Sequence, residues 1–252
     1  MEISTRRNLP NSAPSRANRV GGPCEHIVRF CAWLAAVSVG VSLLASVALL
    51  RAAGAPGQQP TDSNGALLSP SAFAERAPET FKANFDTSAG TFVVEVHRAW
   101  APHGADRFYN LVKSGFYDED RFYRVTPLMA VWGLNGEPAI AKAWLGARIA
   151  DDPTHLHSNT KGTVAFFQSN KRTTQTFVNL ADNSGTLDIQ IVPFGEVVSG
   201  MDVVEKLYAG YGESPPNGSG PDMNRFYEEG NAYLVKEFPK LDYIKKASIV
   251  TP

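Results

Sequence analysis

Cysteine is nearly absent. Cys24 and Cys31 are the only two in 252 residues, and both precede or fall inside an apolar N-terminal run. The remainder of the chain therefore has no disulfide and no thiolate zinc site, so its stability must come from packing. Net charge is also lacking: 24 basic against 25 acidic side chains leave a formal charge of -1. With no basic stripe in the later part of the chain, no nucleic-acid partner is expected. The pair His155-x-His157 has no evident third ligand, and 151–159 reads as a solvated loop rather than a metal site. Asp118-Glu119-Asp120 reads as a turn. The glycine-rich stretch 210–221 follows a helix and carries prolines that break a phosphate-cradling pattern, and no repeat of long period is visible. No cofactor or metal is expected.

One long hydrophobic run is present. Phe30 to Leu50 is 21 residues without a charge. As a helix it would cover roughly 30 Å, the hydrocarbon thickness of a bilayer. Arg6, Arg7, Arg16, Arg19 and Arg29 precede it and Arg51 alone follows closely, which places the N-terminus in the cytoplasm by the positive-inside rule. The expected organisation is a basic cytoplasmic tail at 1–29, a transmembrane signal anchor at 30–50, a flexible Ala/Pro/Gly/Ser linker at 51–79 and a folded domain at 80–252. The domain would then be extracytoplasmic, periplasmic or lumenal. The alternative is secretion after cleavage near Arg51-Ala52-Ala53-Gly54-Ala55.

The folded part reads as many short strands with two substantial helices. Residues 85–96 alternate around Ser88-Ala89-Gly90 as a hairpin. Ala105, Phe108, Leu111 and Val112 share one helical face in 102–114, which Gly115 terminates. Further strands are predicted at 121–126, 162–167, 176–180, 194–198 and 243–250, a second helix at 201–208, and a short helix or turn within 225–237. This pattern argues for an all-β fold: a closed antiparallel barrel capped by helices, preceded by the N-terminal transmembrane helix.

Phe122-Tyr123-Arg124-Val125 and Gln175-Thr176-Phe177-Val178-Asn179 carry the chemistry. An arginine among aromatic and apolar side chains suits a reaction that needs neither nucleophile nor metal, the rotation of an X-Pro peptide bond. The barrier to that rotation, roughly 18–20 kcal/mol, comes from amide resonance. A guanidinium is always charged and can donate to the prolyl nitrogen once that nitrogen pyramidalises, a contact the planar ground state gains less from. Taken alone, Arg124 is better explained by pairing with a surface carboxylate, and simple core packing also accounts for Phe177, Met129 and Leu187.

The ordered series decides between these readings. Phe85-x-Thr-x-x-Gly, Ala101-Pro102, Phe108-Tyr109-Asn110-Leu111, Gly115-Phe116-Tyr117-Asp118, Phe122–Val125, Gly162-Thr163-Val164, Thr174–Phe177 and Phe194–Val198 with Gly200-Met201-Asp202 resemble, in order and spacing, the cyclophilin-type peptidyl-prolyl cis-trans isomerases. The resemblance spans about 81–250 and implies an eight-stranded antiparallel barrel with two capping helices.

It also implies roles. Arg124 matches the catalytic arginine and Gln175 the substrate-orienting glutamine. Phe177, Met129 and Leu187 match the apolar proline pocket, with Leu128, Phe167 and Gln168 as further substrate-binding positions. Proline-containing polypeptides would be the partners, and cyclosporin-like ligands weak ones, since Thr186 stands where many members have Trp. Val131 replaces a glutamine that hydrogen-bonds near the arginine, Thr176 replaces a second phenylalanine, and Phe167 replaces a small residue beside the substrate groove. These departures point to an isomerase of reduced activity, with a proline-peptide binding module or chaperone scaffold without turnover as the alternative.

Overall fold

The computed structural model describes residues 63–154, 156–167 and 171–250. The expected tail, the membrane segment 30–50 and the start of the linker lie outside the described residues, as do His155 and Gln168. Among the described residues no helix is long and apolar enough to cross a membrane.

Eight antiparallel strands form one curled sheet: β1 (Thr80–Thr87), β2 (Gly90–His97), β3 (Arg124–Val125), β4 (Met129–Trp132), β5 (Thr163–Phe166), β6 (Thr176–Asn179), β7 (Pro193–Ser199) and β8 (Ile244–Val250). Their spatial order is β3-β4-β6-β5-β7-β2-β1-β8. The barrel expected as closed is a curled sheet whose two edges approach through a single bridge, Arg121 to Tyr243, flanked by Phe122 N–H to Asp242 O at 3.0 Å. With only two residues, β3 is too short to form a full ladder with β8.

The β1–β2 hairpin shows the period-2 pattern that the sequence predicts. Phe81, Ala83, Phe85 and Thr87 on β1, and Phe92, Val94 and Val96 on β2, point into the core. Phe85 and Phe92 stack there with ring centroids 4.9 Å apart. Gly90 sits at φ +133°, and a Cβ there would meet Val203, so the turn demands glycine.

The helix α2 (Pro102–Lys113) packs Ala105, Phe108, Leu111 and Val112 inward. Its N-terminal amides are capped at long range. The Asp152 carboxylate accepts from His103 N–H at 2.8 Å and Gly104 N–H at 2.9 Å, and buried Arg172 holds that carboxylate through Nη1 at 2.9 Å.

Five further segments differ from the sequence reading. The strand β4 and a short helix at Pro138–Trp144 were not anticipated, and residues 63–79, assigned to the linker, lie against the domain. Leu67 is buried and its carbonyl accepts from Trp144 Nε1 at 2.8 Å, while Asn110 bonds Glu75 through both its amide ends. The predicted helix at 201–208 is shorter, Met201–Glu205. The segment 225–237 forms two helices, Met223–Glu229 and Asn231–Glu237, hinged at Gly230, whose φ is +60° and where a Cβ would strike Gly136 O.

All positions of β4, β5 and β6 are buried, because both faces are covered. Ala130, Trp132, Val164, Phe166 and Val178 face the main core. Met129, Val131, Ala165 and Phe177 belong to a second apolar cluster on the opposite face, completed by Phe226, Tyr233, Leu234, Phe238 and Leu241 from the C-terminal segment.

Candidate active site

Strand register builds the site. Arg124 on β3 lies opposite Val131 on β4, Val131 opposite Phe177 on β6, and Phe177 opposite Ala165 on β5. Directly opposed residues share a sheet face, so these four form one transverse row with the guanidinium at its edge. Met129, two residues from Val131, shares that face.

Gln175 stands just before β6, its carbonyl accepting from Phe167 N–H at 2.9 Å. Its side-chain Oε1 accepts from the Tyr123 hydroxyl at 2.7 Å. With the oxygen so occupied, the amide N–H groups are the end that has no acceptor among the described residues. Burial pushes the Tyr123 hydroxyl well above the usual tyrosine range, so it stays a donor.

Arg124 has an unforeseen partner. Its Nε and Nη2 donate to Glu213 Oε2 and Oε1 at 2.6 and 2.8 Å, a two-pronged pair with a residue 89 positions later. Nη1 points to Met129 Sδ at 3.8 Å, and the guanidinium carbon lies 5.3 Å from the Phe167 ring centroid. The side chain is 21% exposed, reachable yet engaged.

The apolar positions come together in part. Phe177 is fully buried and meets Phe167 edge-on, with centroids 6.3 Å apart. Met129 is buried in the same cluster, against which half-buried Leu187, at the end of the short helix Ser184–Leu187, also packs. Leu128 is 53% exposed at the rim, outside the cluster, because its backbone is held by Leu180 N–H and Asn183 Nδ2 while its side chain turns to solvent. Gln168 lies outside the described residues. Thr176 faces inward, with its hydroxyl 2.9 Å from the Tyr117 hydroxyl. A cavity of about 560 Å³ lined by residues such as Lys113, Asn135 and Ala247 shares no residue with this row.

Sequence reasoning missed Tyr123 as the orienter of Gln175 and Glu213 as the partner of Arg124. Tyr123 had a signal, since it adjoins the arginine. Glu213 had none in a loop whose path depends on the packed helices beyond it.

Comparison with known proteins gives the class. The family model "Cyclophilin type peptidyl-prolyl cis-trans isomerase/CLD" matches residues 82–221. A peptidyl-prolyl cis-trans isomerase of Acinetobacter baylyi is 31% identical over 150 residues, covering 57% of this chain and 77% of the relative. Peptidyl-prolyl cis-trans isomerase B of Escherichia coli K12 is 31% identical over 134 residues, 49% of this chain and 81% of the relative. The crystal structure of a Cryptosporidium parvum cyclophilin-type isomerase superposes with a TM-score of 0.50 at 14% identity, covering 69% of this chain and 99% of that one. The same protein has been solved in the presence of the dipeptide Ala-Pro. The chain belongs to the cyclophilin-type peptidyl-prolyl cis-trans isomerases. The helices Met223–Glu229 and Asn231–Glu237 and the strand β8 follow the matched region.

Proposed function

We propose that X-Pro bonds turn at the Arg124 end of the β3-β4-β6-β5 row, where the covering C-terminal segment leaves the guanidinium 21% exposed, with Arg124 as the donor to the prolyl nitrogen and Gln175 orienting the substrate backbone. Phe177, Met129 and Leu187 supply the apolar contact for the proline ring. The observation that carries this reading is the shared row: a cation and an amide donor border the same apolar surface.

In the planar ground state the prolyl nitrogen lends its lone pair to the carbonyl and is a poor acceptor. As the bond twists, the lone pair localises and accepts an N–H from Arg124, so the contact strengthens only where the barrier lies. No covalent step is needed. The rate is reduced relative to a fully furnished pocket. Val131 provides no polar group beside the guanidinium, and Phe167 must move off the Phe177 edge before a proline ring can reach it. Thr186, in place of a large aromatic, makes cyclosporin-like ligands weak partners of this face, which titration calorimetry would read.

The substrates are proline-containing segments of chains folding outside the cytoplasm, where the domain is held by the 30–50 segment. This localisation rests on the charge asymmetry of the N-terminal sequence, and protease protection of a C-terminal tag in sealed membrane vesicles tests it. Uncatalysed isomerisation takes tens to hundreds of seconds and limits folding, which gives such an enzyme its use.

The decisive experiment compares the full chain in detergent with Arg124→Ala in a proline-peptide isomerisation assay. The variant is expected to fall to near the uncatalysed rate. Equal rates for both proteins would remove Arg124 from the mechanism, and peptide binding with no turnover by either would make the face a binding module.

A further inference from the structure

The guanidinium of Arg124 needs something to hold its plane, and the strand residue opposite it cannot. Val131 offers only methyl groups. We propose that Glu213, from the loop between Met201–Glu205 and Met223–Glu229, is the positioning residue for Arg124 in the isomerase reaction. This inference rests on Arg124 being the donor to the prolyl nitrogen.

The geometry of the pair supports it. Glu213 takes the Nε and Nη2 edge with two short bonds, at 2.6 and 2.8 Å. A bidentate carboxylate fixes both the position and the plane of a guanidinium, which a single bond does not. At the other end, Nη1 meets among the described residues only the weak thioether acceptor of Met129, at 3.8 Å, the residue that borders the proline contact surface. The Phe167 ring supports the guanidinium 5.3 Å from its carbon, so the group is held by an edge and beside an aromatic ring while Nη1 remains available.

Glu213 is itself anchored. Its carbonyl accepts from Gly220 N–H at 2.8 Å, and a Cβ at Gly218 would fall 2.3 Å from that oxygen, so the loop closes tightly on it. Tyr211, two residues earlier, packs edge-on between Tyr208 at 5.1 Å and Phe238 at 5.0 Å. The C-terminal helices thereby reach the reaction through one carboxylate.

The test uses the full chain with Glu213→Ala and Glu213→Gln, measured for kcat and KM on a proline peptide and for melting temperature. The Arg124 Nε–H signal is followed by NMR. Glu213→Ala removes both charge-assisted bonds and should lower kcat about tenfold, with KM changed less than about twofold. Glu213→Gln, with one acceptor oxygen for two donors, should lie between. The Nε–H signal should shift and exchange faster in both, and the melting temperature should stay within about 2 °C, as befits a pair at the edge of the sheet that solvent still reaches.

A rate that rises on Glu213→Ala would overturn the proposal, because it would make the carboxylate a competitor of the peptide. An unchanged kcat would overturn it as well, as would a loss matched by a large fall in melting temperature. If Arg124→Ala keeps the full rate, the assignment of Arg124 fails first, and that result is separate from any Glu213 outcome.

Discussion

Removing the Tyr123 hydroxyl isolates the orientation of Gln175. In Tyr123→Phe the ring remains in its buried place, 4% exposed in the native chain, and one hydrogen bond of 2.7 Å disappears. The partly buried Gln175 Oε1 is left without its donor, which costs about 1–3 kcal/mol. If that cost is met by the amide turning over, its N–H groups no longer face the substrate. The loss then appears in the transition state as about a 5- to 150-fold fall in kcat/KM. The assay is the same peptide isomerisation, run beside calorimetric unfolding. The pH profile adds a control. Burial raises the Tyr123 pKa, so the folded state holds this proton more tightly than the unfolded state and the hydroxyl keeps donating as pH rises through the ordinary tyrosine range near 10. The stability it contributes is whole below that range and declines above it, and no alkaline loss of activity below about pH 10 should trace to Tyr123. An unchanged kcat/KM with a lowered melting temperature would refute the reasoning, since the bond would then serve the fold alone.

Two further outcomes follow from the packing. Asp152→Ala leaves Arg172, 5% exposed, without its buried carboxylate and uncaps the helix Pro102–Lys113. A broken buried pair costs about 3–5 kcal/mol, or about 6–20 °C in melting temperature for a domain of this size; a drop under about 2 °C by scanning calorimetry would show that the cap is dispensable. Phe167→Ala removes the ring that stands edge-on to Phe177 and should lower KM for a proline peptide several-fold, the worth of about 1 kcal/mol of unhindered apolar contact. A rise in KM would instead make Phe167 a wall of the peptide site.

Local pattern was legible where one face of an element meets solvent. The hairpin at 80–97 alternates because its outer residues remain half exposed, and the helix Pro102–Lys113 shows its inward stripe for the same reason. The strand Met129–Trp132 shows no alternation, because Met129 and Val131 are buried under the C-terminal helices while Ala130 and Trp132 are buried in the main core. Its apolar run carries no period to read. The helix Pro138–Trp144 is too short to display a convincing stripe, and the packing of Leu67 beneath Trp144 depends on a partner 77 residues away.

Motif and period alone carried the family, most of the strands and the short stretches that hold Arg124, Gln175 and Phe177. Those properties are written in motifs and periods that neighbouring residues share. Only the tertiary structure decided that Tyr123 turns the Gln175 amide, that Phe167 stands against Phe177 and that Glu213 grips Arg124. Each is a meeting of side chains brought together by register or by a loop's path, and such distances are set by how the whole chain packs.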